Sequence, residues 1–172
     1  MKLIEKIVFS SSVIFGLFVI GPEVKSPDLE RTLPILEDNL EALKDWIEDR
    51  EAVIDNLKPN NASKLIYFDS VPKKTPFSVV YLHGFSASIE EGSPVHYNIA
   101  NALRANLYLP RLAGHGLIEE EPLLGFTADK YLDSSREALA VAKIIGEKVI
   151  VISSSTGGTL SLLSLIHISE PT

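Results

Sequence analysis

Cysteine is absent from all 172 residues, which excludes disulfides, thiolate metal sites and cysteine nucleophiles. Basic charge is scarce: 16 Lys and Arg stand against 23 Asp and Glu, a formal charge of -7. With acidic clusters at Glu90-Glu91 and Glu119 to Glu121, the chain repels phosphate backbones, so no nucleic-acid partner is expected. The phosphate-cradling signatures G-x-G-x-x-G and G-x-x-x-x-G-K are missing as well. Four histidines occur without the paired spacing of a metal site, so neither a metal nor an organic cofactor is expected. Low-complexity tracts are lacking too. At 45% apolar residues, the chain can pack one ordinary domain, with little room for a second.

Long hydrophobic runs are rare, and the one present is at the start. MKLIEK carries two lysines, and IVFSSSVIFGLFVI then runs 14 residues without a charge before Gly21-Pro22. A basic start followed by an apolar run is the pattern of an export signal, and this run is short for a spanning helix. Val24-Lys25-Ser26 makes a poor cleavage site. Residues 1–21 are therefore expected to be a signal peptide or an uncleaved anchor, giving membrane association through residues 3–20 and a place at the cell envelope.

Residues 22–60 are expected to be a proline-rich linker, Gly21 to Pro34 at its widest, followed by an amphipathic helical segment. In the latter Leu36, Leu40, Leu43, Ile47 and Ile54 recur at helical spacing, with Trp46 as a packing residue. Strands and helices then alternate. LIYF (Leu65 to Phe68), Phe77 to Leu82, Asn106 to Leu109 and Val149 to Ile152 read as strands. Ser93-Pro94 reads as a capped start to a helix striped by Val95, Ile99, Ala102 and Leu103. Thr127 and Asp129 open a second helix striped by Tyr131, Leu132, Ala138, Leu139, Ala142 and Ile145, with Gly146 expected as its left-handed terminator. Because Val149 to Ile152 is apolar on both faces, the class is α/β: a mostly parallel sheet flanked by helices, behind an apolar amino-terminal helix. Ligands in such sheets bind beyond the carboxyl ends of the strands, where loops of small residues follow Leu82 and Ile152.

VIVISSSTGGTL, the second of these loops, offers three serines. A serine becomes a nucleophile when a base takes its proton and a sharp strand-to-helix turn exposes it, and that turn admits only small residues two places either side. Only Ser155 has a glycine two places on, Gly157. The first amides of the following helix lack partners and favour negative charge, which suits the Thr156 amide to an oxyanion. A second donor should come from a neighbouring strand end, where Phe85 follows His83-Gly84. His115, in Gly114-His115-Gly116, reads as a loop residue, His96 as a surface or rim residue, and Asp133 as solvated.

VVYLHGFSAS, PRLAGHGL and VIVISSSTGGTL, in this order and spacing, resemble the amino-terminal half of an α/β-hydrolase of the lipase-like and esterase-like branch. The resemblance covers about Leu65 to Leu162, within a domain expected over 61–162. It implies Ser155 as the nucleophile of a carboxylic ester hydrolase, Phe85 and Thr156 as oxyanion amides, and His83-Gly84 as shaping that loop. Ser153 stands where the G-x-S-x-G pattern of the family has its first glycine, and Gly157 and Gly158 follow. Small-molecule or lipid esters are the implied substrates. Amide hydrolysis or acyl transfer on the same machinery, and a non-catalytic binding domain at the cell envelope, are the alternatives.

LSLIHISEPT, Leu163 to Thr172, matches at every residue the translation of a common transposase sequencing adapter, CTGTCTCTTATACACATCTCCGAGCCCACG. Residues 163–172 are therefore expected to be an artefactual tail. The acid and histidine of a triad, which follow the serine in this fold, would then be missing, and the fragment is expected to be inactive.

Overall fold

The computed structural model describes residues 3–21, 26–27, 29 and 32–167, with side chains up to Ser164. Half of the expected linker Gly21 to Pro34 falls outside them, as do Val24 and Lys25 of the poor cleavage site and residues 168–172 of the tail.

Helix α1, Leu3–Ile20, has no buried residue and a mean hydropathy of 2.0. It begins four residues before the uncharged run and takes in Glu5 and Lys6, reaching 18 residues. At ~1.5 Å per residue that is roughly 27 Å, near the thickness of a hydrocarbon core. By length and composition it is a helix of the kind a signal sequence or a membrane anchor has.

Helix α2, Leu40–Ala52, is capped by Asn39, whose side chain accepts the amides of Glu41 and Ala42. It buries Leu43 and Ile47, one turn apart, and half-buries Trp46 with Arg50 over its ring at 4.4 Å. Of the expected stripe, Leu40, Leu43 and Ile47 lie on this helix, and Leu36 and Ile54 lie outside it.

Four strands follow: β1 (Lys64–Ile66), β2 (Thr75–Leu82), β3 (Asn106–Leu109) and β4 (Gly146–Ser153), in the order β1-β3-β2-β4. β2 lies parallel to both β3 and β4; helix α3 (Val95–Ala102) connects β2 to β3, and helix α4 (Ala128–Ile145) connects β3 to β4. β1 runs antiparallel to β3 at one edge, so the sheet is mixed. Alternation along β2 feeds two cores: Val79 and Tyr81 join Ala100 of α3, while Val80 and Leu82 join α2, α4 and Leu160 of helix α5 (Thr156–His167). The chain therefore leaves β2 toward one face and β4 toward the other, and a crevice between such diverging connections is where α/β sheets place ligands.

Several expectations are corrected. β1 ends at Ile66, since the Phe68 amide donates to the Asn106 side chain instead of to the ladder. β4 is half-buried, because it is the outer strand among the described residues. Ser93 caps nothing: Pro94 takes the N-cap position, and the Val95 amide is met by the Gly92 carbonyl. The buried face of α3 is His96 and Ala100, with Val95 and Leu103 exposed, so the stripe is rotated and His96 is a core residue, not a rim one. Gly146 is extended (φ -147°) and opens β4 directly. It is glycine for space, since a Cβ there would stand 2.4 Å from the Ser78 nitrogen. In contrast, Thr127 does cap α4, accepting the Lys130 amide, and all six expected stripe residues of α4 are buried.

Candidate active site

The β4–α5 turn begins as a continuation of the ladder, with Ser153 opposite Leu82 and the Ser154 amide donating to the Leu82 carbonyl at 3.1 Å. Ser155 then adopts φ +48° and is exposed, and Thr156 starts α5. A serine in the left-handed region costs roughly 1–2 kcal/mol, so the surrounding turn must impose it. Gly157 shows how: its Cα packs so tightly on β2 that a Cβ would lie 2.1 Å from the Leu82 carbonyl oxygen. The amides of Gly157 and Gly158 close the first turn onto the carbonyls of Ser154 and Ser155, each at 2.8 Å. Ser153 ends β4 without a positive φ, so its backbone conformation does not call for glycine.

The loop after β2 meets this turn. A Cβ on Gly84 would stand 3.3 Å from Ser155 Cβ, which puts the two residues side by side at the crevice. The amides of Phe85 and Thr156 donate to no protein acceptor among the described residues. Tyr131, from α4, braces both loops: its hydroxyl lies 3.1 Å from Thr156 Oγ1 and donates to the His83 carbonyl at 3.4 Å. The Phe85 ring, half exposed, packs edge-on against Phe126 and His115.

Two buried histidines fasten the loops to one another. His83 Nε2 accepts the Leu112 amide at 3.2 Å and Nδ1 donates to the Gly84 carbonyl at 2.9 Å. His115 Nε2 accepts the Ser86 amide at 3.0 Å and Nδ1 donates to the Ala113 carbonyl at 2.8 Å. An amide can only donate, so each Nε2 presents its lone pair and each ring is neutral. Burial, the largest cause, lowers His83 to about 4 and lowers His115 as well. Both nitrogens of each ring are occupied, which leaves neither histidine free to take a proton from Ser155. His115 is thus the loop residue its glycine neighbours suggested, and those glycines supply the positive φ values of the turn, +74° and +73°.

Glu91 went unnoticed in the sequence, where it counted only as part of an acidic pair. Its Oε2 accepts the Gly84 amide at 2.8 Å and the Tyr81 hydroxyl at 2.9 Å. Burial works against its charge, but these bonds and the polar influence of the Ser154 hydroxyl outweigh it and hold the carboxyl below the usual range. Burial and the Glu91 carboxylate push the Tyr81 phenol upward, so it stays protonated and donating. No local signal marks Glu91, because its contacts arise only when the 84–94 loop folds back.

A cavity of about 200 Å3 runs beside this loop, lined by Ser86, Ser88, His115, Leu117, Leu123 and Lys58 among others. A larger cleft of about 300 Å3 lies elsewhere, between α2 and α4. Two ion pairs cross it, Arg111–Glu51 at 2.8 Å and Arg50–Glu137 at 2.7 Å, and serve as ties. Asp133 at its rim is solvated, as expected. Among the described residues no cluster of three His, Cys, Asp or Glu could hold a metal. No protein-family model matches the chain, and no curated protein matches it either.

Proposed function

We propose that this chain is the nucleophile-bearing part of an α/β-hydrolase, an esterase-like or lipase-like enzyme that cleaves carboxylic esters through an acyl-enzyme on Ser155. The observation that carries the reading is the backbone of Ser155: exposed, at φ +48°, between a parallel strand and the helix after it. Strain at a single polar residue at the carboxyl end of a sheet is the form a nucleophile turn takes. Ser155 Oγ would attack the ester carbonyl, the amides of Phe85 and Thr156 would receive the oxyanion, and water would later release the acid.

None of the three histidines whose side chains are described serves as the base. His83 and His115 have both nitrogens engaged, and His96 packs under α3 on the opposite face from α5. That same engagement favours the second reading, a binding domain with no chemistry. The helix α1 supports action at the cell envelope, on small-molecule or lipid esters. Fluorophosphonate labelling of the product of the whole gene separates the readings: an enzyme is labelled at Ser155 and a Ser155→Ala variant is not, whereas a binder stays unlabelled. The 172-residue chain alone is expected to hydrolyse p-nitrophenyl acetate no faster than its Ser155→Ala variant.

A further inference from the structure

Gly84 is held at both of its backbone polar groups. Its N–H donates to Glu91 Oε2, and its carbonyl accepts from His83 Nδ1. That carbonyl and the Phe85 amide belong to one planar peptide, in which C=O and N–H point in opposite directions. Fixing the carbonyl therefore fixes the direction in which the Phe85 amide donates. Tying down the Gly84 N–H removes the rotation a glycine would otherwise have. A larger residue there would be tight, since a Cβ would meet Glu91 Oε1 at 3.1 Å and Ser155 Cβ at 3.3 Å and would press on both.

We infer that Glu91 is a positioning residue for the Phe85 oxyanion amide, holding the Gly84 peptide in place from seven residues downstream. This rests on Ser155 being the nucleophile. A carboxylate suits the task because it only accepts, and it can take several donors at once. Here it takes two: the Gly84 amide from the loop and the Tyr81 hydroxyl from β2. The loop is thereby tied to the strand it leaves. Successive turns, with the Glu91 amide on the Ser88 carbonyl and the Ser93 amide on that of Glu90, return the chain to this point. Glu91 acts through Gly84 and needs no contact with the reacting atoms.

The test is p-nitrophenyl acetate turnover by the whole-gene product and its Glu91→Gln, Glu91→Asp and Glu91→Ala variants, each checked for folding by circular dichroism. Glutamine keeps an oxygen in reach of the Gly84 amide, and kcat is expected to stay within about threefold. Aspartate keeps the charge but falls short by a methylene, and with alanine it should lower kcat about tenfold or more. KM should not move, because the oxyanion contact is made only in the transition state. Wild-type kcat in the Asp and Ala variants, or a Gln variant as impaired as Ala, would overturn the role of Glu91 alone. If Ala fails to fold, Asp and Gln decide. An unmodified protein that neither turns over ester nor takes a fluorophosphonate overturns the hydrolase reading itself, and the role of Glu91 with it.

Discussion

The rings of His83 and His115 meet edge to face with their centroids 4.9 Å apart, and each accepts an amide hydrogen from the loop that carries the other. The exchange locks the loop after β2 to the loop after β3, and it works only while both rings are neutral.

Acid should therefore loosen this lock. His83 titrates at about 4 in the folded chain against 6.5 unperturbed, with burial as the main cause. Its folded value is the lower one, so the unfolded chain binds more protons between the two. The contribution is fully present above pH 6.5, declines as the pH falls toward 4, and changes no further below that. The difference amounts to about 3 kcal/mol, and the lowered His115 acts in the same direction. Urea midpoints should fall between about pH 7 and about pH 5, above the range where carboxylates titrate. A flat profile there would show that the rings are not buried and neutral.

Relieving the strain at Ser155 should stabilise the chain. Glycine tolerates φ +48° without penalty and alanine does not, so Ser155→Gly should exceed Ser155→Ala in unfolding free energy by about 1 kcal/mol. Thermal melts of the two variants compare them directly, and equal midpoints would mean the turn is relaxed.

Gly157→Ala should be far more damaging than its size suggests. The added methyl would lie 2.1 Å from the Leu82 carbonyl oxygen, so either β2 or the start of α5 must move. A loss of about 3 kcal/mol or more is expected. Chemical denaturation checks it, and a loss below about 1 kcal/mol would contradict the close strand-to-helix approach.

His96 is fully buried between the rings of Tyr81 and Tyr97, and neither of its ring nitrogens finds a partner among the described residues. Unpaired buried polar groups cost about 1–3 kcal/mol each. His96→Phe, which fills similar space with no polar atom, should leave stability unchanged or raise it. A melt lowered by many degrees would reveal a bond to His96 that the packing does not show.

Residues 3–20 should carry the chain to lipid. Every large apolar side chain of α1 from Leu3 to Ile20 is exposed, and none is buried. The full chain should co-sediment with phosphatidylcholine vesicles, and a variant lacking residues 1–21 should stay in the supernatant. Equal partitioning of both would assign the membrane no role.

The legible parts were those governed by neighbours in sequence. Thr127 revealed the start of α4 because a cap and the amide it bonds lie within three residues. The stripe of α4 revealed its buried face because helical period alone sets it. The choice of Ser155 over Ser153 and Ser154 rested on small residues at fixed offsets, and of the three Ser155 alone has a positive φ. Gly146 misled because the same residue serves two ends, a left-handed turn or a close approach, and only the distance to Ser78 separates them. Ser93-Pro94 misled because the turn before α3 already satisfies its first amide.

From sequence alone came the alternation of strand and helix, the apolar leading helix and the small-residue turn around Ser155, because steric limits and hydrophobic period act over a few residues. Tertiary structure alone decided that His83 and His115 hold each other's loops, that Glu91 reaches Gly84 and that His96 is core. Those partners lie seven to 29 residues apart or on different elements, and nothing sets them face to face until the parallel register of β2, β3 and β4 aligns the loop ends.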